Sequence, residues 1–252
     1  MPGRSTPAAA GAPPTSPGRV AGATSAGAKS AASAAALAEV SATAAAELAE
    51  EELHELEQAW VSVEPATARR VLVAAVVAFA ARGYHATSTR DIANEAGLSP
   101  AGVYVHFRSK EELLFRISLL GTERAHGAVR AAAAAHADPM DRLRAVVGEL
   151  AARSARHHTT GRVIEYELGS LSEPHRTQIS ALRREIDATV REILADGVAA
   201  GVFDVPDVPA TAVALLSLTV DIARWYRSGG RHTAEEIAAF YADLAARMVR
   251  AG

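Results

Sequence analysis

The sequence predicts an all-α protein with about nine core helices, and three observations carry that expectation. Apolar residues recur at helical spacing through most of the chain. Ala dominates an apolar content of 49%, and aromatic residues make up only 5%. Such a composition suits helices packed closely on small side chains better than a β-sheet.

At 252 residues the chain is long enough for one or two compact domains. It contains no Cys, which excludes disulfides, thiolate nucleophiles and Cys-ligated metal sites. Arg4 is followed by Ala, Pro, Gly and Ser rather than by a Leu-rich core, so the start does not read as a secretory signal. The longest strongly apolar stretch, Val208 to Val220, is shorter than the roughly 20 residues a bilayer span needs. A cytoplasmic protein without membrane contact is expected. The net charge of −3 is unevenly placed. Residues 1–64 hold three basic against eight acidic residues, whereas Pro65 to Ser118 hold seven against four.

Residues 1–35 are almost wholly Ala, Gly, Ser, Pro and Thr, too poor in large apolar groups to offset chain entropy, and are expected to be a disordered tail. Residues 36–64 read as an acidic helical extension with Leu48, Leu53 and Leu56 on one face. It is expected to be solvated, with an accessory arm as the alternative. The globular part starts near Pro65. Leu72, Val76 and Phe79 repeat at helical spacing and Gly83 supplies a left-handed stop, which predicts a helix over 67–82.

The segment from Thr87 to Phe107, TSTRDIANEAGLSPAGVYVHF, concentrates local signals. Ser88 is an N-cap with Asp91 three positions on, at the positive end of the helix dipole. Ile92, Ala93 and Ala96 form an inward face that Gly97 ends. Ser99 caps the next helix, whose first residue is Pro100, where a missing N–H costs nothing. Two short helices joined by Gly97, Leu98 and Ser99 make a helix-turn-helix, the unit whose second helix enters the major groove of DNA. Val103 and Phe107 are expected in the core. Ala101, Gly102, Tyr104, Val105 and His106 are then left on the exposed side as candidate DNA readers, a core position for Tyr104 being the alternative. Ser109 with Glu112 reads as a capping box that opens a helix at Lys110. A cation on that first turn opposes the dipole, which makes sense if a phosphate lies between it and the free backbone N–H groups; an ordinary solvated Lys is the other reading.

The runs ARGYHATSTRDIA from Ala81, AGLS from Ala96 and VYVHFRSKE from Val103 resemble the DNA-binding domain of the TetR family over about residues 66–118. The resemblance implies a DNA-binding domain at 65–112 and an effector-binding and dimerisation domain at 113–252. It also implies that Ser88, Thr89, Arg90, Tyr104, His106 and Lys110 touch the operator backbone while Ala101, Gly102 and Val105 lie over base edges. Few of these are strong base-edge donors, so readout would lean on thymine methyls, backbone positioning and DNA shape.

Further helices are expected over 110–135, 139–157, 160–171, 174–200, 208–228 and 233–250. Val208 to Val220 carries no charge on any face and so should be covered all round. The last helix, opened by the capping box Thr233 and Glu236, presents Ile237, Phe240, Tyr241, Leu244 and Met248. Too little chain remains to cover both. A partner subunit is the economical cover, and the resemblance implies a homodimer through these two helices on a palindromic operator. An effector pocket is expected among the helices at 110–135, 139–157, 174–200 and 208–228. Tyr166, Arg224, Trp225 and Tyr226 are the candidate effector contacts, with core or interface burial equally open for each. EYELG from Glu165 and WYRSGG from Trp225 are weakly similar to a branch of the family that responds to acyl-coenzyme A thioesters.

His157 and His158 are adjacent and point about 100° apart on a helix, while His126 and His136 would lie about 15 Å apart along one, so neither pair shares a metal. All four are expected to be solvated. The sequence contains no Gly-rich phosphate loop, zincin helix or nucleophile elbow; no catalytic residue, metal or cofactor is expected. The function implied is a transcriptional regulator, a repressor released by a small molecule. An architectural DNA-binding protein without effector, or an all-α ligand-binding protein or enzyme with a vestigial helix-turn-helix, are the alternatives.

Overall fold

The computed structural model describes residues 50–250. The expectations placed on residues 1–49, and on the side chain of Leu53, lie outside the described residues. Ten α-helices follow in order: α1 (Glu50–Ala59), α2 (Ala66–Arg82), α3 (Thr89–Glu95), α4 (Pro100–Tyr104), α5 (Lys110–Ala134), α6 (Pro139–Arg156), α7 (His158–Glu167), α8 (Glu173–Ala199), α9 (Val208–Trp225) and α10 (Ala234–Val249). A short 3-10 turn, Leu168–Ser170, follows α7. No strand is present among the described residues; Phe203 and Arg250 form an isolated bridge. The fold is all-α; the nine helices from α2 onward are the core helices the sequence predicts, and α1 lies within the helical extension expected at 36–64.

Helix α2 sits at the centre of the N-terminal core. Val71, Leu72, Ala75 and Val76 are fully buried on one side, and Val73, Ala74 and Ala80 are buried on the others, because α1, α3, α5 and α7 pack on different sides of it. Helix α5, at 25 residues about 37 Å long, runs without a break through the boundary expected at 112/113. Leu113, Leu114 and Ile117 on its first half belong to the N-terminal core, and Val129 and Ala133 on its second half belong to a C-terminal core with α6, α8, α9 and α10.

Local chemistry sets most of the helix ends. Asp138 caps α6 through the N–H groups of Met140 and Asp141, Asp207 caps α9 through Ala210, and Thr233 and Glu236 cap α10 reciprocally. Three ends differ from expectation. The helix expected to reach 171 stops at Glu167, ahead of the 3-10 turn. The helix expected to reach 228 stops at Trp225, because Tyr226 leaves helical dihedrals (ψ 145°) and lays its ring edge-on against His158, with centroids 5.4 Å apart. The helix expected from 160 starts at His158, directly after the non-helical His157 that separates it from α6.

Three glycines permit close approach. A Cβ on Gly121 of α5 would stand 2.8 Å from Cδ1 of Ile164 in α7, and one on Gly161 of α7 would stand 3.1 Å from Cβ of Ala223 in α9. A Cβ on Gly197 of α8 would fall 1.9 Å from the ring of Phe203, which the chain folds back onto α8 and buries to 4% exposure.

Helix α9 has 18 residues and a mean hydropathy of 1.3, enough by length and composition for a candidate membrane span. Its inner face, with Ala212, Leu215, Thr219 and Ile222, is packed into the bundle, and Asp221 and Arg224 pair in its last turn. Val213, Leu218 and Val220 on α9 and Phe240 and Met248 on α10 are exposed within the single chain.

Gly197→Ala should lower stability by about 1–3 kcal/mol, since the buried Phe203 ring has nowhere to move. Thermal melts at neutral pH would show a fall of several degrees, and an unchanged midpoint would mean the ring is not held as described.

Candidate DNA-binding and effector sites

The helix-turn-helix is built by its caps. Ser88 accepts the N–H of Asp91 at 3.2 Å, and Asp91 in turn accepts the N–H of Ser88 at 2.8 Å and its hydroxyl at 2.7 Å. These bonds from Ser88, with Arg82 and Arg90 nearby, hold the Asp91 carboxyl below its ordinary range. Helix α3 ends in a Schellman motif: Leu98 N–H reaches Ala93 O at 2.8 Å, Gly97 N–H reaches Asn94 O at 3.1 Å, and Gly97 has φ 63°. Ser99 then caps α4 by accepting Gly102 N–H at 3.2 Å. Ile92, Ala93, Val103 and Phe107 are buried, which fixes the rotation of both helices.

That rotation turns the expected readers outward. Ser88, Arg90, Ala101, Tyr104 and Val105 are exposed, and Thr89, Gly102 and His106 are partly so. Val105 is 77% exposed and Tyr104 53%. The Tyr104 hydroxyl lies 3.4 Å from Thr89 Oγ1, so the two helices present one continuous polar edge. A Cβ at Gly102 would meet only ordinary contacts, 3.6 Å from Leu98 and Ser99, so nothing in the packing of the chain itself demands Gly there.

Lys110 has a different task from the phosphate contact expected of it. Its ammonium donates to Tyr84 O at 2.6 Å and Thr87 O at 2.8 Å, lies 3.5 Å from His85 O and sits 4.2 Å from the centroid of the Tyr84 ring. An ammonium has three protons, and three loop carbonyls face them. Lys110 therefore clasps the loop between α2 and α3. Thr87 braces the same loop, its hydroxyl 2.7 Å from Gly83 O and 3.0 Å from Ala78 O. The capping box at Ser109 also differs: Ser109 accepts Glu112 N–H, but the Glu112 carboxylate takes the N–H of Arg108, at 2.7 Å.

Two carboxylates tie this unit to the C-terminal helices. Glu167 at the end of α7 accepts Tyr84 N–H at 3.2 Å. Glu111 accepts Ser172 N–H at 2.8 Å and lies 2.8 Å from His175 Nδ1, whose ring stacks on Phe115 at 3.7 Å.

A cavity of about 580 Å³ lies among α5, α6, α8 and α9, with α7 and α1 completing it. Leu56, Ala59, Trp60, Ile164, Ile186 and Leu216 supply apolar wall. Arg124 and Arg153 supply a cationic side, with His157 beside them. Desolvation lowers the pKa of both guanidiniums; Glu149 works against this at Arg153, while Arg124 and Arg156 add like-charge repulsion. Arg183 in the wall is engaged by Glu165 in a bidentate pair at 2.5 and 3.2 Å. Thr160 also lines the space, while its Oγ1 is buried and without a hydrogen-bond partner.

None of the four expected effector contacts lies in this cavity wall. Tyr166 is 65% exposed, one residue beyond the cavity-lining Glu165 and so rotated about 100° away. Arg224 pairs with Asp221 at 2.8 Å, and Trp225 is 43% exposed on the same outer turn. Tyr226 is buried against His158. Of the residues the sequence reading passed over, Arg124 and Arg153 carried no distinguishing local signal.

The solvated extension and the solvated His157 and His158 are corrected together. Glu52, Leu56 and Trp60 are 3%, 2% and 3% exposed, and this stripe at spacing four was available in the sequence. Helix α7 has no side-chain cap of its own. Glu52 fills that role from α1, accepting Thr159 N–H at 3.1 Å and its hydroxyl at 3.0 Å. Burial pushes the Glu52 carboxyl up to about 7, against the opposing pull of these bonds and of Arg162. His158 is fully buried, its Nδ1 3.1 Å from Ala155 O and 3.5 Å from Glu52 Oε2. Burial pushes both histidines down to about 4, helped at His157 by Arg153, Arg124 and Arg156 and at His158 by Arg162.

The comparisons with known proteins agree with this geometry. Residues 71–117 match the description "Bacterial regulatory proteins, tetR family" and residues 136–249 match "Tetracyclin repressor-like, C-terminal domain". The HTH-type transcriptional repressor KstR2 of Rhodococcus jostii is 31% identical over 172 residues, covering 68% of this chain and 84% of its own length. The chain belongs to the TetR family. This TetR-family chain is thus a helix-turn-helix DNA-binding transcriptional regulator. A solved TetR-family regulatory protein from Rhodococcus RHA1 superposes with a TM-score of 0.70 at 39% identity, covering 74% of this chain and 98% of that one. AibR, solved in complex with isovaleryl coenzyme A and operator DNA, gives a TM-score of 0.65 at 27% identity, covering 71% and 97%.

Removing the clasp by Lys110→Ala should cost about 1.5–3 kcal/mol for lost bonds to a charged group, read as a lower melting temperature, and should weaken DNA binding with an unchanged salt slope. A slope reduced by about one with an unaltered melt would instead place Lys110 on a phosphate. The titrations predict opposite pH effects. Between pH 6.5 and about 4 the unfolded chain binds protons at His157 and His158 that the folded one refuses, so stability falls as pH drops. Between pH 4.5 and about 7 the folded chain keeps a proton on Glu52 that the unfolded one loses, so the seating of α1 weakens as pH rises. Trp60 emission should report the second effect, and Glu52→Gln should flatten it.

Proposed function

We propose that the protein is a homodimeric repressor whose two α4 helices enter successive major grooves of a palindromic operator, and that an anionic amphiphile of the acyl-coenzyme A type, bound in the cavity, releases it. The observation that carries the DNA half is the exposed edge Thr89–Tyr104–Val105, held outward by buried Ile92, Val103 and Phe107. Thr89, Arg90, Tyr104 and His106 would bind the phosphate backbone, with Ala101, Gly102 and Val105 over base edges and Ser88 holding the start of α3. Lys110 acts through the loop it clasps. The exposed apolar residues of α9 and α10, Val213, Leu218, Phe240 and Met248, supply the dimer face, which sets the two α4 helices about one helical turn or a little more apart.

The effector half rests on the cavity. Two guanidiniums beside each other, Arg124 exposed and Arg153 partly buried, call for an anion, and the apolar wall calls for a hydrocarbon chain. Its volume falls within the range of small-molecule sites. The AibR complex with isovaleryl coenzyme A supports a thioester of this class. Catalysis has no part in this reading, and the regulator acts in the cytoplasm.

Selection from randomised duplexes with the full-length protein tests the first half. An inverted repeat is expected, and loss of affinity for it by about 5–150-fold on adding a medium-chain acyl-coenzyme A is the size of a usual coupling. Retention with no motif and steep salt dependence would make the protein architectural. A motif that no acyl thioester weakens would discard the effector class while leaving the operator reading intact.

A further inference from the structure

Helix α1 precedes the stretch that matches the family's helix-turn-helix description, which begins at residue 71. Yet Leu56, Ala59 and Trp60 form one side of the cavity. We propose that α1 is a built-in wall of the effector site that sets the length of hydrocarbon chain the cavity accepts, with Glu52 as the latch that seats it. The proposal rests on the effector reading above and adds to it a part of the chain that lies outside the two matched regions.

Three features of the geometry carry it. First, Glu52, Leu56 and Trp60 follow one another at spacing four, so one face of α1 turns inward. Leu56 and Trp60 from that face lie in the cavity wall with the neighbouring Ala59, and these three are apolar. Second, the latch is specific. The Glu52 carboxylate meets the N–H and hydroxyl of Thr159, on the first turn of a helix that lacks a cap of its own. The free donors and the dipole of α7 favour acceptor oxygens there, while burial opposes the full charge. The groups that face Glu52 are His158, Thr159, Thr160 and Arg162 of α7. Third, the charged groups that would fix a ligand's head lie on other elements, Arg124 on α5 and Arg153 on α6. A ligand held there by its head extends its chain along the apolar wall, and where that chain meets Leu56 and Trp60 it either stops or displaces α1.

A buried carboxylate is a costly tether, so the latch holds α1 without making it immovable. Occupancy of the cavity and seating of α1 are then linked, and a chain too long for the closed cavity binds only by opening it.

The test is calorimetric titration of the full-length protein with saturated acyl-coenzyme A thioesters from four to eighteen carbons, on the wild type, Trp60→Ala and Arg153→Ala. Trp60→Ala should move the preferred length upward, each newly accommodated methylene strengthening binding by about fourfold. Arg153→Ala should weaken every length alike and leave the preferred length in place. Leu56→Ala should repeat the upward shift and serves if Trp60→Ala does not fold, as judged by circular dichroism. Thioester binding with the same preferred length in both α1 variants overturns the wall and leaves the effector class standing. If the wild type binds no thioester, the effector class falls, and the wall is decided with 8-anilinonaphthalene-1-sulfonate, an apolar anion. Altered affinity of that probe in both α1 variants upholds the wall; unaltered affinity overturns it.

Discussion

Gly121 and Gly161 allow α7 to lie closer to α5 and α9 than alanines there would permit without a shift, a Cβ of residue 121 standing 2.8 Å from Ile164 Cδ1 and one of residue 161 standing 3.1 Å from Ala223 Cβ. That close seating is the constraint on which much of the remaining structure depends. A helix of ten residues, about 15 Å long, is too short to be stable alone. It is held at its start by Glu52 of α1, along its middle by the two glycine contacts, and at its end by the bond from Tyr84 N–H to Glu167. Its middle residues Thr160, Gly161, Ile164 and Glu165 line the cavity. The same few turns therefore belong to the α1 latch, the cavity wall and the support of the helix-turn-helix.

This arrangement would give the proposed effector release a physical form. A ligand shifts an equilibrium only by binding two arrangements unequally, so what matters is which contacts change when the cavity fills. Helix α5 passes through both cores as one rod, and Leu113, Leu114 and Ile117 lock its first half to α2 and the helix-turn-helix. The polar ties at that end are few: Glu167 to Tyr84, Ser170 to His85, Glu111 to Ser172 and His175, and Lys110 to the carbonyls of the α2–α3 loop. Tyr84 takes part in two of these through its N–H and its C=O. A displacement of α7 would be felt first at that residue, from which the loop leads to the Ser88 cap and to α3.

The elements that local chemistry specifies were legible in the sequence. Ser88 with Asp91, Ser99 with Pro100, and Thr233 with Glu236 each declare a helix start within four residues, and Gly83 and Gly97 declare the ends. Non-local contacts were not legible. Lys110 reads as a phosphate ligand until folding brings it to residues 23 to 26 positions earlier. Glu52 opens a stripe at spacing four, but a Glu is so seldom buried that the leucines at 48, 53 and 56 made the more natural face. The adjacency of His157 and His158 ruled out a shared metal and said nothing about burial, which follows from the break between α6 and α7. The aromatic residues expected at the effector were chosen by chemistry. Which face of α7 or α9 meets the cavity is decided by helix rotation, and that rotation is set by packing at Gly121, Gly161 and Ala223.

The exposed stripe on α9 bears on the cavity as well as on dimerisation. Val213 and Val220 line the cavity, yet they remain 54% and 43% exposed in the single chain, so the cavity's edge runs beside the face proposed for the partner. Apolar surface left open on both counts is covered most completely when a second α9–α10 pair packs against it. A partner in that position would cover the rim that Val213, Ser217 and Val220 form. Ligand affinity and subunit geometry would then depend on each other reciprocally, because an effector that presses α9 outward works against the same surface that fixes the spacing of the two α4 helices. In that arrangement the cavity has two adjustable walls of different origin, α1 from within the chain and α9 backed by the partner. An effector that enters from the cationic side must work against one of them.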